Sequence, residues 1–149
     1  VNSYTRLVKG AWAPTAATWG IENRTAAIRV IPGDQYSQRI EVRVGGADAN
    51  PYLVQAAALA AMDIGMREQL LPDEPVLGNA YEAEDDLSPE FHFASDLMSS
   101  ARRFAASSAA KEQFGETFVS HFAMTREWEA REYHRTINSW QLERYFEIV

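Results

Sequence analysis

Two runs of β-branched residues constrain the fold of this chain more than any other feature. "TAAIRVI" (residues 25–31) and "RIEVRV" (residues 39–44) flank "PGDQYS", a cluster of turn formers. Such a pattern encodes strand, turn, strand, and an antiparallel hairpin is its natural closure. Upstream, "WAPTAATWG" is broken by Pro14 and Gly20 and reads as a loop or irregular strand. Residues 1–50 therefore read as β and loop.

Beyond residue 50 the pattern becomes helical. "ADANPYLVQAAALAAMDIGMREQL" is an alanine-rich helix, with Asn50 as N-cap and Pro51 at the first helical position. "LPDEPVLGNAYEAEDDL" reads as an acidic loop, and its "EAEDDL" as a solvated run. "SPEFHFASDLMSSARRFAAS" reads as a helix opening on Ser88, Pro89 and Glu90. "AAKEQFGETFVSHFAMTREWEAREYHR" reads as one helix with Phe114, Phe118 and Phe122 along one side. "NSWQLERYFEIV" is a short amphipathic last helix. A β portion followed by an α portion predicts the α+β class.

The chain has 149 residues, one domain's worth, and a formal net charge of −7. An acidic balance, with a pI near 4.9, argues against a nucleic-acid partner. No apolar run reaches the length of a membrane span; Asp63 interrupts the longest candidate. With no cysteine and no signal-peptide pattern, the expected location is the cytoplasm. The start, "VNSYTRL", reads as cut from a longer protein.

Against this acidic background four arginines gather at residues 24–43. In a strand, Arg39, Glu41 and Arg43 share one face, while Ile40 and Val42 point to the other and are expected to be buried. Arg24 and Arg29 differ in parity and cannot share a face of one regular strand, so one of them belongs in a loop. A carboxylate between guanidiniums stays ionised and can hold a divalent metal. Guanidiniums hold phosphate or carboxylate oxygens. A solvated strand face with ordinary ion pairs is the plainer reading of "RIEVR" alone. His92, His121 and His134 lack metal-ligand spacing and read as structural or solvated, and "TREWEARE" as a salt-laced exposed helix face.

In "NSYTRLV", "NRTAAIRV", "RIEVR", "GADANPYLVQAAALAA" and "WEAREYH…NSWQLERYFEIV", the chain resembles the C-terminal part of the catalytic domain of the glutamine synthetase family. The motifs run in order over essentially the whole length, residues 1–149. The resemblance implies about the last third of a full family member, with the active-site segment in 1–50 and a helical segment in 51–149. It implies an ATP-dependent ligase that phosphorylates the γ-carboxylate of glutamate and passes the γ-glutamyl group to an amine. Magnesium or manganese serves as metal, and the full-length protein is a homo-oligomer. By the same resemblance, Arg6 and Arg43 hold glutamate, and Arg24 and Arg43 act at the reacting phosphoryl group. Arg24, Arg29 and Arg39 contact ATP, and Glu41 is a metal ligand.

One departure bears on the amine. Where the family's glutamine synthetases have "G-x-E-A-P", this chain has "GAWAP". Trp12 stands in place of the glutamate that helps bind ammonium. It can pack against the alkyl part of a larger amine, or against a cation. The surrounding "APTAATWG" resembles the γ-glutamylamide and γ-glutamylpolyamine synthetase branch. Also missing before "RIE" is the family's usual lysine, one ATP contact. The competing readings are glutamine synthetase using ammonia, a non-catalytic assembly protein, and a phosphate-binding module. Most of the family's metal-binding acids lie outside this stretch, so the isolated chain is expected to be inactive and to self-associate through exposed apolar surface.

Overall fold

A computed structural model describes residues 1–148. They form two compact units, divided between Phe93 and Ala94.

The first unit holds a three-stranded sheet in the order β1 (Trp19–Ile21), β2 (Ile28–Ile31), β3 (Arg39–Val42). β2 and β3 are the antiparallel hairpin read from the sequence. Its turn is set by Asp34, whose carboxylate accepts from the Tyr36 and Ser37 amides and the Ser37 hydroxyl. β1 runs parallel to β2, which makes the sheet mixed. Parallel neighbours normally need a long crossover. Here the connection 22–27 suffices, because β1 is short and the chain reverses at Glu22, whose φ is +52°.

Asn23 fixes that connection. Its carboxamide oxygen accepts from the Thr25 amide and hydroxyl, and its NH2 donates to the carbonyls of Val76 and Gly78. Gly20 lets the neighbouring segment approach: a Cβ there would lie 2.8 Å from the Val76 carbonyl oxygen.

Two departures lie in this unit's first and last stretches. Residues 1–50 are not wholly β and loop, since Ser3–Arg6 forms a one-turn helix, α1. The acidic stretch is not simply a solvated loop either. It contains α3 (Ala80–Ala83) and a 3-10 turn over Glu84–Asp86, and Glu84 is only 4% exposed. The long helix between them, α2 (Pro51–Arg67), starts as expected, with Asn50 accepting from the amides of Tyr52 and Leu53. It buries no residue.

The sheet's two faces differ. Arg29, Ile31, Arg39 and Glu41 share one face through the β2–β3 register. Ile28, Val30, Ile40 and Val42 share the other. Ile40 and Val42 are not buried, as the alternation predicted, but 53% and 47% exposed. Alternation fixes which side a residue faces and says nothing of whether that side is covered. Ile28 and Val30 line an open apolar groove of about 800 Å³ with Leu70, Leu71, Phe91 and Phe93. The unit's core is built of small residues, including Ala13, Ala16, Ala26, Ala27 and Ala80.

Pro89–Phe91 forms a 3-10 turn, not the start of a long helix. The reason is strand-like pairing: the Ala17 amide donates to the Phe91 carbonyl, and the Phe93 amide to the Thr15 carbonyl. Those bonds hold His92 and Phe93 extended, a structural role for His92.

In the second unit α4 (Leu97–Ala106) begins at Asp96, whose carboxylate accepts from the Ser99 amide at 2.8 Å. The following helix is two: α5 (Ser108–Phe114) and α6 (Glu116–His134), separated by Gly115 at φ +80°. That left-handed value suits glycine and ends a helix. α4 packs on α6, burying Ala101, Val119, Ala123 and Ala130. The aromatic stripe is real: Phe118 stacks on Phe122, and Phe104 meets Phe122 edge-on. Arg126 pairs with Glu129 and Arg131 with Glu127, so the α6 face is salt-laced as read. α7 (Ser139–Tyr145) is opened by a capping box between Asn138 and Gln141. Among the described residues, no helix is long and apolar enough to cross a membrane.

Candidate active site

The site lies in the first unit, on the charged face of the hairpin and the loops beside it. Register places Arg29 opposite Glu41. Glu41 accepts from Arg43 at 2.8 Å and from Arg29 at 3.5 Å. The Arg43 hydrogen bond, with the positive charge of both guanidiniums, holds the Glu41 carboxyl below its ordinary value. Arg29 is also ion-paired with Glu22, and the Glu22 hydrogen bond raises the Arg29 pKa. Glu22 was not singled out in the sequence. Its signal there was only an acid beside "NR", and its place depends on the left-handed turn at its own backbone.

Arg39 shares the face but does not pair with Glu41; it is exposed and donates to the Ser37 carbonyl. Arg24 sits in the connection before β2, as the parity argument required of one arginine, and is exposed, with no ion pair or hydrogen bond among the described residues. Arg6 comes from α1 and donates to the carbonyls of Arg43, at 3.3 Å, and Val44, at 2.6 Å. That ties α1 to the end of the hairpin. Among the described residues, the Nε–H donors of Arg6 and Arg43 are buried without a partner. A buried donor left unpaired is costly, and such orphans gather at functional sites.

Arg43 also reaches the loop that bears Trp12, donating to the Trp12 carbonyl at 2.9 Å. Trp12 has φ +53°, a left-handed value that bulky residues seldom adopt. Its side chain is 67% exposed. Trp12, Glu22, Arg24 and Tyr81 line one cavity of about 640 Å³, within the range of small-molecule sites. The structure thus gathers Arg6, Arg29, Glu41 and Arg43 in one bonded network, and Trp12 and Arg24 around one cavity. Arg39 stays apart from both.

For a divalent metal the fit is poor. Among the described residues no three histidines or carboxylates converge, and Glu41 alone is too few for octahedral magnesium. For a polyphosphate the fit is better, since among the described residues Arg24 has no partner and Arg39 binds only a carbonyl. Arg29 has its charge engaged by two acids.

A structure titled apo GmaS without ligand superposes with a TM-score of 0.73 at 28% identity, over 99% of this chain and 33% of that one. The chain is 44% identical over its full length to type-1 glutamine synthetase 2 of Dictyostelium discoideum, covering 28% of that protein. It is 38% identical over its full length to a glutamate–isopropylamine ligase of a Pseudomonas species, covering 32%. It therefore spans about a third of the length of the curated relatives it matches. The family model for the glutamine synthetase catalytic domain matches residues 1–145. With the arginine–glutamate face, the Trp12 loop and this match in agreement, the chain belongs to the glutamine synthetase family.

Proposed function

We propose that this chain supplies part of the site of an ATP-dependent carbon–nitrogen ligase that joins glutamate to an amine. An oxygen of the glutamate γ-carboxylate takes the terminal phosphoryl group of ATP, and ADP leaves. The amine nitrogen then attacks the acyl carbon, phosphate leaves, and the nitrogen loses a proton. ATP supplies the activation; the residues of this chain bind, orient and neutralise charge.

Arg24 and Arg39, with free donors, contact phosphate oxygens, joined by Arg29 once its acids re-pair. Arg24 and Arg43 face the transferring group. Arg6 and Arg43 orient glutamate. Glu41 would supply one carboxylate to a magnesium or manganese ion whose charge would offset that of the phosphates, and the remaining ligands would come from outside these 149 residues. No ATP hydrolysis is therefore expected of the isolated chain. A cytoplasmic homo-oligomer is the natural setting for such an enzyme.

The observation that carries the reading is Trp12 lining the same cavity as Arg24. An indole there removes the carboxylate that would offset the desolvation of ammonium. It offers a larger amine apolar contact, about 0.8 kcal/mol per buried methylene. The resemblance to a glutamate–isopropylamine ligase supports this. The resemblance to a type-1 glutamine synthetase favours a second reading, ammonia as acceptor. Glutamate-dependent ADP release by the natural full-length protein, measured with ammonia and with alkylamines, tests the proposal. Release with neither acceptor refutes it, and release with ammonia alone favours the second reading.

A further inference from the structure

The backbone around Trp12 is held from several sides. The Tyr81 hydroxyl accepts from the Ala13 amide at 3.1 Å and donates to the Ala13 carbonyl at 2.9 Å. Arg43 holds the Trp12 carbonyl. Below, the buried Glu84 accepts from the Thr15 hydroxyl and pairs with Lys9 at 3.3 Å. Lys9 also donates to the Tyr81 carbonyl at 3.2 Å. Ala13 is 1% exposed.

A left-handed backbone at a tryptophan persists only when its surroundings over-determine it. The two bonds of one hydroxyl to the next residue do this directly. Yet the indole itself is mostly exposed at the cavity. Clamped main chain and open side chain together suit a group that reads a ligand. Exposure alone does not mark the group, since Trp128 and Trp140 are exposed too; among the described tryptophans Trp12 alone joins an open ring to a left-handed backbone.

We propose that Tyr81 is a positioning residue for acceptor selectivity: its hydroxyl holds Ala13, its own carbonyl is held by Lys9 and Lys9 in turn by Glu84, and this fixes the Trp12 backbone so that the indole stands where the amine's alkyl part lies. The inference rests on the ligase reading above. Tyr81 lines the same cavity as Trp12 and Arg24, so its hydroxyl acts at the site and not at a distance. Nothing in the "GNAY" stretch pointed to this, since the partner of Tyr81 lies 68 residues away in sequence.

The test uses Tyr81→Phe in the natural full-length protein, which keeps the ring and removes both bonds. Two readouts separate the inference from the reading beneath it. The first is the 19F spectrum of the 5-fluorotryptophan-labelled protein, with the Trp12 line assigned by Trp12→Phe. The second is KM and kcat for an alkylamine and for ammonia. In Tyr81→Phe the Trp12 line should shift or broaden while the other tryptophan lines stay. The alkylamine KM should rise about tenfold, with kcat and the glutamate KM within about twofold, as when uniform binding to one substrate is lost. Glu84→Gln should move both readouts the same way, and it carries the test if Tyr81→Phe loses its fold by circular dichroism. An unchanged Trp12 line in a folded variant overturns the positioning. A shifted line with an unchanged alkylamine-to-ammonia ratio overturns the link to selectivity. A wild type that uses no alkylamine overturns the alkylamine-acceptor reading beneath the inference instead, whatever the Trp12 line does.

Discussion

Arg29 and Glu41 stand directly opposite each other in the β2–β3 register, and their side chains meet at 3.5 Å on the charged face of the sheet. Arg43, one residue past the end of β3, closes on the same carboxylate at 2.8 Å. The hydrogen bond from Arg43 and the charge of both arginines lower the Glu41 pKa. A carboxyl whose folded pKa is depressed adds stability above its unfolded value, and that share is lost as pH falls through the folded value. A carboxyl titration followed by NMR should therefore show Glu41 ionised at pH values where an ordinary glutamate is already protonated. A midpoint at or above the ordinary one would count against the assembled face.

Arg24 differs from its neighbours in having no partner to lose among the described residues. Arg24→Ala should leave the thermal midpoint nearly unchanged, as surface substitutions usually stay within about 0.5 kcal/mol. Turnover of the full-length protein should fall by about 10²–10³ if its guanidinium meets charge that develops in the reaction. Turnover within a few-fold of wild type would remove Arg24 from the site.

The start of α4 separates the sequence pattern from the structure. Asp96 accepts from the Ser99 amide, whereas Ser88 makes no side-chain cap bond. Asp96→Ala should cost about 1 kcal/mol in denaturant unfolding, and Ser88→Ala less than about 0.5 kcal/mol. The reverse order would restore the helix start read from "SPE".

Gly115 tests the break between α5 and α6. An added Cβ would meet nothing within 4 Å, so only its φ of +80° opposes a side chain. Gly115→Ala should destabilise by about 1 kcal/mol or more. A neutral or stabilising result would mean that α5 and α6 join into one helix, as the unbroken pattern over residues 109–135 read.

What was legible in the sequence was local. The hairpin followed from β-branched runs and the Asp34 turn, and the start of α2 from "ANP". The shared face of Arg39, Glu41 and Arg43 needed only the alternation of a strand. What was not legible depends on distant partners. Ser88 reads as a cap because nothing in "SPEFHF" announces that Phe91 and Phe93 pair with the backbone of residues 15–17. Glu84 lies in an acidic run but is buried by Thr15 and Lys9. Ile40 and Val42 face the apolar side as read, but whether that side is covered is not written in their alternation. Glu22 and Tyr81 enter the site only through contacts that a linear pattern does not carry.

The central claim is that Trp12 stands at the acceptor site and favours a larger amine over ammonia. Its most direct test is kcat/KM for ammonia, methylamine, ethylamine and putrescine, in the natural full-length protein and in Trp12→Glu. The wild type should prefer alkylamines by about tenfold to a hundredfold, from a few buried methylenes, and Trp12→Glu should shift the ranking toward ammonia. A wild type that prefers ammonia, or a ranking that Trp12→Glu leaves unchanged, would contradict it.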